Sequence, residues 1–116
     1  MLNLTMFEID ASMQDLLVEA IEIVNEDISK FNSSRDYKQV LTNLKLDFDW
    51  LDMVMDAKDI NEYKLNFICQ AEAVNRFEFD DMKVVNHEIK PKLDKASTTR
   101  DLKKIFDTYW MYVIEG

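Results

Sequence analysis

The chain has 116 residues, 47% hydrophobic and 32% charged, with one Gly, one Pro and one Cys and a net charge of −9. So little glycine and proline excludes a turn-rich all-β fold, and a single cysteine excludes an internal disulfide. The negative charge disfavours nucleic acid and anionic membranes as direct partners and favours basic proteins.

Four predicted helix starts share one device, a Ser, Thr or Asp followed three residues later by an acid, as in a capping box. They are Ser12–Asp15, Ser33–Asp36, Asp59–Glu62 and Thr98–Asp101. The first predicted helix runs from about Met13 to Phe31, with an apolar stripe of Met13, Leu17, Ala20, Ile21, Val24, Ile28 and Phe31. The second runs from about Ser34 to Ala57, with Tyr37, Val40, Leu41, Leu44, Phe48, Leu51 and Met55 on its main face. A second apolar strip, Leu46, Trp50, Met53 and Ala57, lies roughly opposite. A helix apolar on two sides is either central in a bundle or presents one side to a partner.

The third predicted helix starts near Ile60 and turns Tyr63, Phe67, Ala71 and Val74 inward. Around Glu78–Asp81 the register blurs, and the spacing allows either a break or one helix reaching Lys90 through Met82, Val85 and Ile89. Pro91 is expected to end it, because the residue before a proline avoids the helical region. Residues 92–97 are expected to be the longest polar connection. The last helix, from about Thr99 to Ile114, points Leu102, Ile105, Phe106, Tyr109 and Val113 inward, which leaves Trp110 or Tyr112 toward the surface. The expected fold class is all-α, a single-domain antiparallel bundle of four to five helices spanning residues 1–116. No apolar run approaches the ~20 residues that span a bilayer, and the first residues lack a signal-peptide pattern. A cytoplasmic location is expected.

Charge is distributed in blocks. Residues 1–29 carry seven acids and no base, and residues 47–62 carry six acids against Lys58, whereas Lys83 to Lys104 is mildly basic. Asp15, Glu19, Glu22 and Glu26 fall at spacings of four, three and four, a narrow strip diametrically opposite the predicted apolar stripe of that helix. A charged strip is commonly a solvated face. Solvated faces usually mix signs, however, because like-charge neighbours cost a few tenths of a kcal/mol each, on the order of 1 kcal/mol for three pairs at low salt. A basic partner would convert that repulsion into binding and faster association. In the second block Asp49, Asp52 and Asp56 form a strip beside Trp50 and Met53, the composition of an anchor ringed by carboxylates. Trp110 is a second candidate anchor.

Catalytic patterns are sparse. His87 is the one histidine and sits beside Glu88 with no nucleophile pattern around it. There is no Glu-x-x-His pair for a di-iron site and no cysteine pair for zinc, and the one glycine, Gly116, offers no phosphate-cradling loop. Asp47-x-Asp49-x-x-Asp52 lacks the glycine turn of a calcium loop, and Cys69 points away from the third helix's stripe. Glu19-x-x-Glu22 and Glu78-x-x-Asp81 resemble the magnesium-binding pattern of all-α nucleotide pyrophosphohydrolases, without that family's companion lysine or asparagine pattern. That resemblance implies an enzyme in which the four carboxylates converge on one metal.

In charge, size and architecture the chain resembles small, acidic, helical immunity proteins and antitoxins, which neutralise a cationic toxin, often a nuclease, by covering its functional surface. The resemblance implies a non-enzymatic inhibitor that binds a basic protein, with no cofactor, no metal, no membrane and no direct nucleic-acid contact. Its expected binding residues are Asp15, Glu19, Glu22, Glu26, Asp49, Trp50, Asp52, Met53, Asp56 and Trp110. Other readings are a DNA mimic that occupies a DNA-binding protein's groove, the pyrophosphohydrolase-like enzyme, and a structural adaptor bundle.

Overall fold

The computed structural model describes residues 11–31 and 36–114, with side chains for all of these except residues 11–15, 31 and 37. The fold is all-α; no strand occurs among the described residues. The chain divides into two compact units, Met1–Ile60 and Asn61–Gly116.

The first unit packs α1 (Ala11–Phe31) against α2 (Tyr37–Met55). Helix α1 already runs from Ala11, so Ser12 lies inside it and not ahead of it. Ser33 is outside the described residues; Asp36 caps α2 instead, its Oδ1 accepting the Gln39 backbone N–H at 3.1 Å. With no glycine available, α2 ends on right-handed backbone at Asp56, and the Ala57 N–H donates to the Val54 carbonyl at 3.2 Å.

In α1 the buried face keeps Ala20 and Val24 of the predicted stripe but is rotated toward Leu16 and Ile23, and in α2 the buried side is the one that holds Trp50 and Ala57 of the second predicted strip. In α1 the buried residues are Leu16, Ala20, Ile23 and Val24, whereas Ile21 is 43% exposed. In α2 the buried residues are Asp47, Trp50, Val54 and Ala57, with Leu46 and Met53 half-buried. The main face predicted for α2 is turned outward: Leu41, Phe48 and Met55 are exposed. Trp50 is the largest apolar side chain on the helix and is fully buried, together with Val54 and Ala57. Asp47 is carried inward with it and interacts with another group of the chain.

The second unit continues α3 (Ile60–Asn75), which buries Tyr63, Phe67 and Ala71 as its spacing predicts. One turn later Asn75, not Val74, is buried. Its Nδ2 donates to the Ala71 carbonyl at 2.8 Å and the Tyr112 carbonyl at 2.7 Å, which satisfies a polar group that burial would otherwise penalise. The chain breaks at residues 76–78 and restarts as α4 (Phe79–Val84).

Pro91 does not end the helix that follows. Helix α4 passes through a π-helical turn (Val85–Ile89) into α5 (Lys90–Lys95), with Pro91 at the start of α5 and Lys90 in right-handed helical backbone. In an uninterrupted α-helix the proline ring would press on the His87 carbonyl and leave it without its usual donor. The wider turn, closed by the Lys90 N–H on the Val85 carbonyl, lies directly before the proline and accommodates that break. Residues 92–95 are therefore helical, and the polar connection shrinks to residues 96–98.

Helix α6 (Thr99–Tyr109) begins with the capping box read from the sequence. The Thr98 hydroxyl accepts the Asp101 N–H at 3.1 Å, and Asp101 Oδ2 accepts the Thr98 N–H at 3.2 Å. Leu102, Ile105, Phe106, Tyr109 and Val113 are all buried, the last beyond a closing 3-10 turn (Trp110–Tyr112).

Candidate partner-binding surface

Glu19, Glu22 and Glu26 are exposed on α1. Asp15 lies on the same helix, but its side chain is outside the described residues. Because α1 buries Leu16 and Ile23 and not Leu17 and Ile21, the strip is not opposite the core face. At about 100° per residue it lies roughly 110° around the helix from it. The acids thus flank the buried face, and Val18 and Ile21 occupy the far side as exposed apolar residues. Glu19 and Glu26 each also interact with another group.

On α2, Asp52 and the capping residue Asp56 are exposed and Asp49 is half-buried, all on the outward side. Trp50 is 0% exposed, so the anchor expected beside them is a core residue. Met53 and Trp110 are half-buried. On the outer edge of the α1 acids the exposed apolar residue is Val18, which the predicted stripe does not include.

The second unit holds a different chemistry. Lys92 Nζ donates to the Tyr109 hydroxyl at 2.7 Å and lies 5.1 Å from that ring's centre, and the hydroxyl donates to Glu88 Oε1 at 3.2 Å. The hydrogen bond to Tyr109, with its charge and that of Glu88, raises the Lys92 pKa. Asp101 is held below the ordinary carboxylate range by the Ser97 backbone N–H, then by the Thr98 hydroxyl and backbone N–H. Buried Lys103 pairs with Asp107 and lies 5.6 Å from the Phe106 ring centre. An open depression of about 290 Å³ is lined by Lys92, Lys95 and Lys104 with Asp101 and two apolar residues. A larger one of about 510 Å³ lies beside Lys64, Asn86 and Pro91.

Glu78, which lacks a side-chain capping bond, is exposed at the start of α4, and Asp81 is half-buried one turn on. Among the described residues no three His, Cys, Asp or Glu side chains are grouped to hold a metal ion. His87 and Cys69 are exposed. No helix among the described residues is long and apolar enough to cross a membrane. No protein-family model, curated protein or solved structure matches the chain.

Proposed function

We propose that this chain is a binding protein that neutralises a basic partner, most specifically an immunity protein or antitoxin that blocks a nuclease toxin. One observation carries the reading: the segment Met1–Ile60 holds thirteen acids against five bases, a net of −8, and turns Glu19, Glu22 and Glu26 outward on one helix. Such a surface raises the encounter rate with a cationic protein and repels polyanions. Nucleases carry cationic substrate clefts, which is the surface a carboxylate strip complements.

The mechanism is steering by the α1 strip, with Asp52 and Asp56 of α2 adding to the same field. Val18 supplies the apolar contact beside the strip in place of buried Trp50, and apolar anchors of this kind carry much of the affinity at protein interfaces.

The test is capture from the native host at low and high salt, followed by a nuclease assay on what is captured. The expected result is one basic nuclease, released by salt, inhibited stoichiometrically, and lost when Glu19, Glu22 and Glu26 are replaced together by Lys. Capture that survives this reversal, or a captured protein whose activity the chain leaves untouched, would overturn the reading.

A further inference from the structure

The outward face of α2 is patterned. Leu41, Phe48 and Met55 recur every seven residues and stand 68%, 54% and 57% exposed, with half-buried Leu44 and Leu51 between them. These five positions are the a and d sites of two heptads, the spacing by which paired helices bury a seam. Single exposed apolar residues need no account, but five in one row form a continuous patch.

The strip beside this row is charged with opposite sign at its two ends. Lys38 and Lys45 are exposed toward the start of the helix, and Asp52 and Asp56 toward its end. Lys45 and Asp52 are about 10 Å apart along the axis, too far to pair within one helix. Neither forms a salt bridge with any other described residue. A second α2 turned end for end would set its Asp52 against Lys45 and its Lys45 against Asp52. A parallel copy would bring ends of like charge together.

We infer that α2 pairs antiparallel with α2 of a second copy of this chain. Leu41, Leu44, Phe48, Leu51 and Met55 form the seam, and the reciprocal Lys45–Asp52 contacts fix its direction. The pattern is self-complementary, as a two-fold interface requires. A cationic partner fits this strip less well, because Lys38 and Lys45 stand on it. The pairing uses a face of α2 distinct from the acidic strip of α1, shares only Asp52 with the steering field proposed above, and does not depend on the inhibitor reading. Two heptads make a small interface, in the range of weak, reversible association.

Sedimentation velocity of the full chain at low salt, from about 1 μM to several hundred μM, is the experiment. A reversible dimer is expected. Phe48→Asp should raise its dissociation constant at least tenfold while the helical circular dichroism is unchanged, because Phe48 is largely exposed. Lys45→Glu alone and Asp52→Lys alone should each weaken it roughly fivefold, and the two together should restore it to within about twofold. That rescue is specific to the antiparallel arrangement. A chain that stays monomeric throughout the range, a dimer indifferent to Phe48→Asp, or a double variant no better than the single ones would each overturn the inference.

Discussion

The two units of this chain distribute charge and apolar surface differently. Met1–Ile60 carries eight of the nine net negative charges and leaves a row of apolar side chains facing out along α2. Asn61–Gly116 balances ten acids against nine bases and ties its helices with internal hydrogen bonds: Lys64 to the Ala96 carbonyl, Gln70 to the Val113 carbonyl, and Asn75 to Ala71 and Tyr112. The first unit's surface has an acid excess and an apolar row that its own fold does not require. The proposed recognition surface therefore lies on the first unit.

The largest test of that division lies within α2. Trp50→Ala should cost about 3–5 kcal/mol in urea unfolding, whereas Phe48→Ala, two residues away and exposed, should cost less than about 1 kcal/mol. Comparable losses would show that α2 buries both faces. In the second unit, Asn75→Ala should cost about 1–3 kcal/mol, because it removes both carbonyl contacts and leaves the Tyr112 carbonyl in need of a donor. A loss below about 0.5 kcal/mol would mean that water supplies that donor. Thr98→Ala should cost about 1 kcal/mol by removing the α6 cap. Replacing Glu19, Glu22 and Glu26 by Gln should change stability by no more than about 0.5 kcal/mol each, even as partner capture is lost. A large destabilisation would reassign the strip to architecture.

The smallest expected effects are pH-dependent. The Asp101 pKa is lowered, so its contribution is present above the ordinary carboxylate value of 3.8 and is lost as pH falls through the lower folded value. Thr98→Ala, which removes the hydroxyl but not the Ser97 N–H, should reduce the acid dependence in that window. Lys92 is raised, so its contribution is present below 10.5 and is lost as pH rises through the higher folded value. Tyr109→Phe, which removes the hydroxyl, should weaken that alkaline dependence and leave the part due to Glu88.

Legibility in the sequence followed the number of competing stripes. Helix α6 has one apolar row and one capping pair, and both form as read. The row of α3 holds through Ala71 and departs only at Asn75, where a side chain that brings its own hydrogen bonds displaces Val74. Helices α1 and α2 each carry apolar residues on more than one side. Periodicity singled out one stripe in α1 and a main face in α2, and in each helix the buried face is rotated from it. The acids Glu19, Glu22, Glu26, Asp52 and Asp56 are exposed wherever the stripe is drawn, because charge stays in water on either choice. The role given to Trp50 depended on that choice and changed with it. The passage of the helix through Pro91 was hidden for another reason: a π turn has no residue signature as plain as the proline it accommodates.

That π turn has a further effect on direction. Val85, Ile89 and Leu93 are spaced by four and are all fully buried. In a regular α-helix a row of fours advances about 40° at each step, so its third member would face well away from its first. A turn bonded from i to i+5 holds more than four residues and rotates the row back. Over Phe79–Lys95 the wide turn cancels the angular drift that long paired helices remove by winding around one another. One short helix thus keeps a single heading, and does so by a local change of pitch.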